Sequence, residues 1–159
     1  GRDVACRQVQ AFGPVGRKHG VAGVLHEQAL LGGVHAFKRV GGAVGVHAVA
    51  DEHPIGFVLT EPLDDALFIV EIAVHQAWQG RGVGRMMLEQ VIATARQAAY
   101  PAVTLTTFRD VPWNAPFYTR LGFSMLNELR LPAGLAAKRD LETEHGLAPE
   151  TRSAMRLAL

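Results

Sequence analysis

Residues 71–90, EIAVHQAWQGRGVGRMMLEQ, carry an apolar run into a tryptophan, then three glycines in five positions, Gly80, Gly82 and Gly84, then helix-forming sequence. The first N–H groups of a helix lack intrahelical acceptors and point outward, and the helix dipole adds positive potential there. Glycines admit positive φ and let a ligand approach the backbone closely. The stretch therefore has the makings of an anion cradle, with donors from the backbone of Gly80 through Arg85. Arg81 and Arg85 add charge that suits a polyanion. The cradle is not a P-loop, because no Gly-Lys-Ser/Thr follows. The G-x-G-x-G spacing, with no suitably placed acid about twenty residues on, also departs from the dinucleotide fingerprint. A glycine-rich turn without a ligand is the competing reading.

The elements that must position this cradle are legible from about Ala43 onward. AVGVHAVA (43–50) and IGFVLTEP (55–62) read as a hairpin around the turn DEHP (51–54). ALFIVEIAV (66–74) is a near-continuous apolar strand, as expected when both faces are covered. Strict alternation would put Leu67, Ile69, Glu71 and Ala73 on one face. A helix is predicted over 84–99, with Val83, Met87, Val91 and Ala95 as its buried stripe and Tyr100-Pro101 as its stop. AVTLTTF (102–108) is a β-branched strand, APFYTRL (115–121) a short helix with Asn114 as its cap, and FSMLNELR (123–130) another strand. A helix over 134–145 and a closing strand over 154–159 complete an α/β plan with a mixed sheet.

Residues 79–84, Gln-Gly-Arg-Gly-Val-Gly, fit the Q/R-x-x-G-x-G/A signature of the GNAT superfamily of N-acetyltransferases. They sit after an apolar strand and at a helix start, as in that family. NAPFYTRLGF (114–123) resembles its second hallmark, an Asn followed by a Tyr four residues before Gly-Phe. On these motifs the resemblance covers about residues 43–130, with AMRLAL as the last strand, and does not extend to 1–42. It implies a mixed, mostly antiparallel central sheet splayed between two strands and flanked by helices. It also implies acetyl-CoA as cosubstrate, bound between strands 66–74 and 102–108. Carried over, backbone N–H groups of Gly80, Gly82, Val83, Gly84 and Arg85 would hold the pyrophosphate, within the motif that Gln79 opens and Arg81 charges. The backbone of Ile72, Ala73 and Val74 would orient the pantetheine arm. Asn114 would bond the cofactor, and Tyr118 would protonate the leaving thiolate.

Amine attack on a thioester needs a neutral amine, an oxyanion stabiliser and a protonated leaving group. Backbone donors serve the oxyanion, and a tyrosine stays protonated at neutral pH. Glu71 is the only ionisable residue inside 66–74, which makes it the candidate base, directly or through a water; His75 is the second candidate. Structural readings stand beside these. Glu71 suits an ion pair, Tyr118 packing, and Asn114 a bare helix cap.

The resemblance implies an N-acetyltransferase acting by direct transfer on a primary amine of a small molecule. The alternatives are a protein N-terminal or lysine acetyltransferase, and a non-catalytic acyl-CoA-binding domain. Dimers are common in the family, so a homodimer is admitted. At 159 residues with 48% hydrophobic content the chain suits one domain, 1–159. Net charge +1 gives no general attraction to nucleic acid or membrane. Phe108, Trp113, Phe117 and Tyr118 interleave with Arg109 and Arg120, and the low net charge favours a pocket over a nucleic-acid surface. The lone Cys6 permits no internal disulfide and fits a reducing, cytoplasmic setting. No apolar run spans a bilayer. His19, His26, His35 and His47 lack metal-ligand spacing, so no metal is expected. Residues 1–42 are atypical. Residues 1–50 hold ten glycines and ten valines but no Ser, Thr, Asn, Ile, Met, Tyr or Trp. Either this is a Gly-rich start to an ordinary domain or part of it is not a native reading frame. Val21–Leu31 is its best helical piece.

Overall fold

The computed structural model describes residues 33–38, 44–50 and 53–159. Cys6, His19, His26 and the helical reading of Val21–Leu31 lie outside them. Among the described residues seven strands form one sheet: β1 (Gly33–Lys38), β2 (Val44–Ala50), β3 (His53–Leu63), β4 (Ala66–Val74), β5 (Ala102–Phe108), β6 (Ser124–Met125) and β7 (Arg152–Ala158). Their order is β1-β2-β3-β4-β5-β7-β6. The described pairings are antiparallel except β4 with β5, which is parallel. That parallel step needs a crossover, and α1 (Val83–Gln97) supplies it. Two more helices follow, α2 (Ala115–Arg120) and α3 (Ala133–Glu144). This is the mixed, mostly antiparallel sheet flanked by helices that the resemblance implies. No helix among the described residues is long and apolar enough to cross a membrane.

Two apolar clusters cover the two faces. The larger joins Leu67, Ile69 and Ile72 of β4 to Val83, Met87, Leu88, Val91 and Ala95 of α1 and to Tyr118 of α2. The smaller joins Phe68 of β4 and Ala154 of β7 to Leu135 of α3. The α1 stripe is the predicted one, with Leu88 added. Gly56 lets α1 lie against β3: a Cβ there would sit 2.9 Å from the Ala73 carbonyl oxygen and 3.0 Å from Met87 Cε.

One strand departs from simple alternation. β3 and β4 register as Thr60↔Ile69 and then Leu59↔Glu71, so Val70 is an extra residue, a β-bulge in β4. The bulge turns Glu71 and Ala73 to the face of Phe68, and Ile72 and Val74 to the face of Leu67 and Ile69. The expected common face of Leu67, Ile69, Glu71 and Ala73 is therefore corrected, because one inserted residue flips every side chain after it. The strand expected over 123–130 also shortens to Ser124–Met125. Beyond it Leu129 N–H donates to Asn127 Oδ1 and Arg130 N–H to the Asn127 carbonyl, a local turn that competes with strand pairing.

Candidate functional site

The sheet opens at its centre. β4 and β5 pair only at Leu67↔Val103 and Phe68↔Thr104, although β4 runs on to Val74 and β5 to Phe108. The bulge at Val70 falls where the pairing stops. Beyond it no described ladder pair joins Ile72 or Ala73 to β5, while β5 stays paired to β7 along its other edge. The result is a split between two parallel strands, open at their C-terminal ends.

The glycine stretch stands at that open end. His75 leaves β4 and caps a short 3-10 turn, Gln76–Trp78, its Nδ1 accepting the Ala77 N–H at 3.1 Å. Gln79 Nε2 donates back to the Val74 carbonyl at 3.2 Å, which ties the loop to the strand end. Gly80 and Gly82 then take φ of +75° and +81°, the region where only glycine is unstrained. A Cβ at either would meet nothing within 4 Å, so internal packing is not what selects glycine there. The first intrahelical bond runs from Met86 N–H to the Gly82 carbonyl at 3.0 Å, and no side chain caps the helix. The N–H groups of Val83, Gly84 and Arg85 therefore face outward as free donors of the first turn. The Arg81 guanidinium lies 5.0 Å over the Trp78 ring, which fixes its charge beside the cradle. Arg85 pairs with Glu89 at 3.1 Å on the exposed helix face. Gly84 lies near both Val74 and Phe117, at 3.8 and 3.9 Å from a built Cβ, which brings cradle, strand end and α2 together.

Tyr118 lies in α2, and Asn114 at its N-terminal cap position. Both are buried, and among the described residues neither Tyr118 Oη nor Asn114 Oδ1 has a hydrogen-bond partner; Thr107 Oγ1 on β5 is in the same state. A buried polar atom without a partner costs about 1–3 kcal/mol. Asn114 precedes α2 but makes no side-chain cap, so its expected capping bond is absent. Burial pushes the Tyr118 phenol above its ordinary value, against the opposing charge of Arg152. Tyr118 therefore keeps its proton across the neutral range, with Phe117 and Phe123 edge-on to its ring at 5.3 and 5.6 Å.

Glu71 reaches solvent on the opposite face of the sheet, and partial desolvation holds its carboxyl above the ordinary carboxylate range. The bulge thus sets Glu71 and Tyr118 on opposite faces of the split strands. His75 has Nδ1 engaged by the Ala77 N–H in its cap. Trp113 is 43% exposed in the loop before α2.

Other polar clusters are internally neutralised. Glu142 accepts from Arg139 Nη1 at 2.7 Å, from Arg152 Nη2 at 2.9 Å and from the Thr106 hydroxyl. Arg139 also pairs with Glu128 at 2.9 Å. A shallow hollow at the other end of β4 is lined by Asp64, Asp65, Asn127, Arg130 and Arg156. There Asp65 binds Arg156 at 3.0 and 3.1 Å, while Asp64 accepts the Gly134 and Leu135 N–H groups at the start of α3. Among the described residues no group of three or more His, Cys, Asp or Glu is placed to hold a metal ion. Sequence reasoning passed over Thr107 and the Glu142 cluster. The Arg139–Glu142 spacing of three is a helix-pair signal, but nothing in TLTTF distinguishes a bonded threonine from an unbonded one.

Comparison with known proteins agrees with this fold. The family described as Acetyltransferase (GNAT) family matches residues 17–123. That match starts at residue 17, further toward the N-terminus than the two motifs alone reach. The chain is similar to N-acetylglutamate synthase from Neisseria gonorrhoeae complexed with coenzyme A and N-acetyl-glutamate: 18% identity, TM-score 0.58, covering 72% of this chain and 25% of that one. It is similar to a putative streptothricin acetyltransferase from Bacillus anthracis in complex with acetyl coenzyme A: 17% identity, TM-score 0.58, covering 74% of this chain and 62% of that one. It is also similar to the ribosomal-protein-S18-alanine N-acetyltransferase from Escherichia coli: 17% identity, TM-score 0.54, covering 76% and 71%. The chain thus spans a quarter of the first of these and less than two thirds of the second. At these identities the likeness is one of fold.

Proposed function

The chain belongs to the acetyltransferase (GNAT) family, and on that premise we propose that it moves an acetyl group from acetyl-CoA to a primary amine of a small molecule by direct transfer. The observation that carries this reading is the split itself. Pairing between β4 and β5 ends at Phe68↔Thr104, and a glycine-lined helix start with free N–H donors stands at its mouth. The residues fit the cosubstrate. Gly80 and Gly82 leave open space above the loop. The N–H groups of Val83, Gly84 and Arg85, with Arg81 beside them and Gln79 bracing the loop, suit a pyrophosphate. The β4 edge at Ile72, Ala73 and Val74, beyond the last pair with β5, suits an amide-bearing arm. The orphaned Asn114 Oδ1 and Tyr118 Oη are polar atoms in want of a ligand.

Acetyl-CoA supplies a thioester carbonyl that a neutral amine can attack. Glu71, raised by desolvation, takes the amine proton directly or through a water. N–H groups of the β4 edge that face the split stabilise the oxyanion. Tyr118 donates its hydroxyl to the departing sulfur. Acid and base act from opposite faces, so cosubstrate and acceptor approach from opposite sides of the sheet. The same reading takes residues 1–159 as one acetyltransferase domain, without a metal, acting in the cytoplasm and admitting a homodimer. The solved structures that resemble it include proteins named for amino-acid, antibiotic and ribosomal-protein substrates. The acceptor is therefore tested directly. Acetyl-CoA turnover is measured against a panel of small amines and against peptides with free N-termini or lysines. Faster turnover with small amines supports the proposal, and turnover with peptides alone overturns it.

A further inference from the structure

We propose that the Thr107 hydroxyl is a further ligand-binding group on the β5 arm of the split, meeting a polar atom of the pantetheine arm, an amide by its chemistry. This rests on the reading that acetyl-CoA enters the split. Thr107 is 0% exposed and its Oγ1 has no partner among the described residues. Its neighbour shows what a satisfied threonine looks like here: Thr106 Oγ1 donates to the Glu142 carboxylate. Thr106 registers with Ala154, which packs on the α3 face, and Leu105 registers with Met155, which packs on the α1 face. Thr107, one residue after Thr106, therefore points to the α1 face, the side on which Tyr118 is buried. It also lies three residues past Thr104, the last residue of β5 that pairs with β4, and so belongs to the splayed part of the arm.

Three helical and turn threonines among the described residues find a nearby carbonyl. Thr119 bonds Ala115, Thr143 bonds Arg139 and Thr151 bonds Ala148. An extended strand offers Thr107 no such local acceptor, and a buried hydroxyl without a partner costs free energy in the free protein. Valine has the same shape, favours strands and would remove that cost. Asn114 Oδ1 and Tyr118 Oη share the condition, and Tyr118 packs in the same cluster as Leu105 of β5. A ligand amide would satisfy the hydroxyl, and Thr107 would then act in binding and not in proton transfer.

The test compares wild type, Thr107→Val and Thr107→Ser, each as the full chain, by thermal unfolding without ligand and by calorimetric titration with coenzyme A. The expected result is an unchanged or higher melting temperature for Thr107→Val, about five- to tenfold weaker coenzyme A binding, and recovery of most of the affinity in Thr107→Ser. Equal affinity in all three would overturn the inference and leave the cofactor reading standing. A lower melting temperature for the ligand-free valine variant would show that the hydroxyl already has a partner and would overturn it too. Failure of wild type itself to bind would remove the cofactor reading and this inference together.

Discussion

Alanine at Gly82 separates what the cradle needs from what the fold needs. Gly82 has φ +81°, and Gly146, in the turn after α3, has φ +85°; a Cβ at either meets nothing within 4 Å. Neither substitution creates a clash, so each carries only the strain of a left-handed alanine, about 1–2 kcal/mol. For a chain of this size that is a fall of about 2–8 °C in melting temperature, nearly the same for both. The two differ in what the new methyl group approaches. At Gly82 it stands over the helix start where a phosphate must come close to the N–H groups. Losing one hydrogen bond to a charged group costs about 1.5–3 kcal/mol, or roughly ten- to more than a hundredfold in dissociation constant. The assay is thermal unfolding of both variants without ligand, followed by titration with acetyl-CoA at fixed salt. Gly82→Ala binding as tightly as wild type, or Gly146→Ala losing as much affinity as Gly82→Ala, would refute the reasoning.

Removing the Tyr118 hydroxyl as Tyr118→Phe should lower kcat by about two orders of magnitude while leaving coenzyme A affinity nearly intact; an unchanged kcat removes Tyr118 from the chemistry. Glu71 has a raised carboxyl pKa and must be ionised to accept a proton, so activity should fall as pH drops through a value above the ordinary carboxylate range. Glu71→Gln should abolish that limb of the pH profile, and a variant that keeps it shows that another group is titrating. Glu142 is buried: desolvation alone would raise its pKa, but hydrogen bonds from Arg152 and Thr106 hold it below its ordinary value. Its folded pKa being depressed, its contribution to stability is full above the ordinary carboxylate pKa and is lost as pH falls through the folded value. Glu142→Ala should therefore cost about 3–5 kcal/mol in urea unfolding at neutral pH. Its deficit should shrink at pH values below the ordinary carboxylate range, and a constant deficit across pH would contradict that assignment.

The cradle was readable because its physics is local. Glycine spacing, a following apolar stripe and a preceding β-branched run each occupy a few consecutive residues, and Gly80 and Gly82 adopt the positive φ that their identity permits. The α1 stripe was readable for the same reason. The bulge at Val70 was not, because nothing in ALFIVEIAV says which residue lacks a partner on β3; that is decided by pairing across the sheet. On the proposed reading the consequence is functional, since the bulge moves Glu71 to the face opposite Tyr118. β1 was missed because GVHAFK lacks clean alternation and is recruited by β2. The roles of Asn114 and Thr107 depend on which partners the folded chain withholds, and that is a property of packing. The two motifs gave the family, while the reach of the family match back to residue 17 depends on sequence beyond them.

The most direct measurement is a calorimetric titration of the full chain with acetyl-CoA, with circular dichroism on the same sample to show that it is folded. A split with a preformed cradle predicts saturable binding at one site per chain, weakened by Gly82→Ala and not by Gly146→Ala. A folded chain that takes up no acetyl-CoA at millimolar concentration would contradict the assignment of the β4–β5 split as a cosubstrate site.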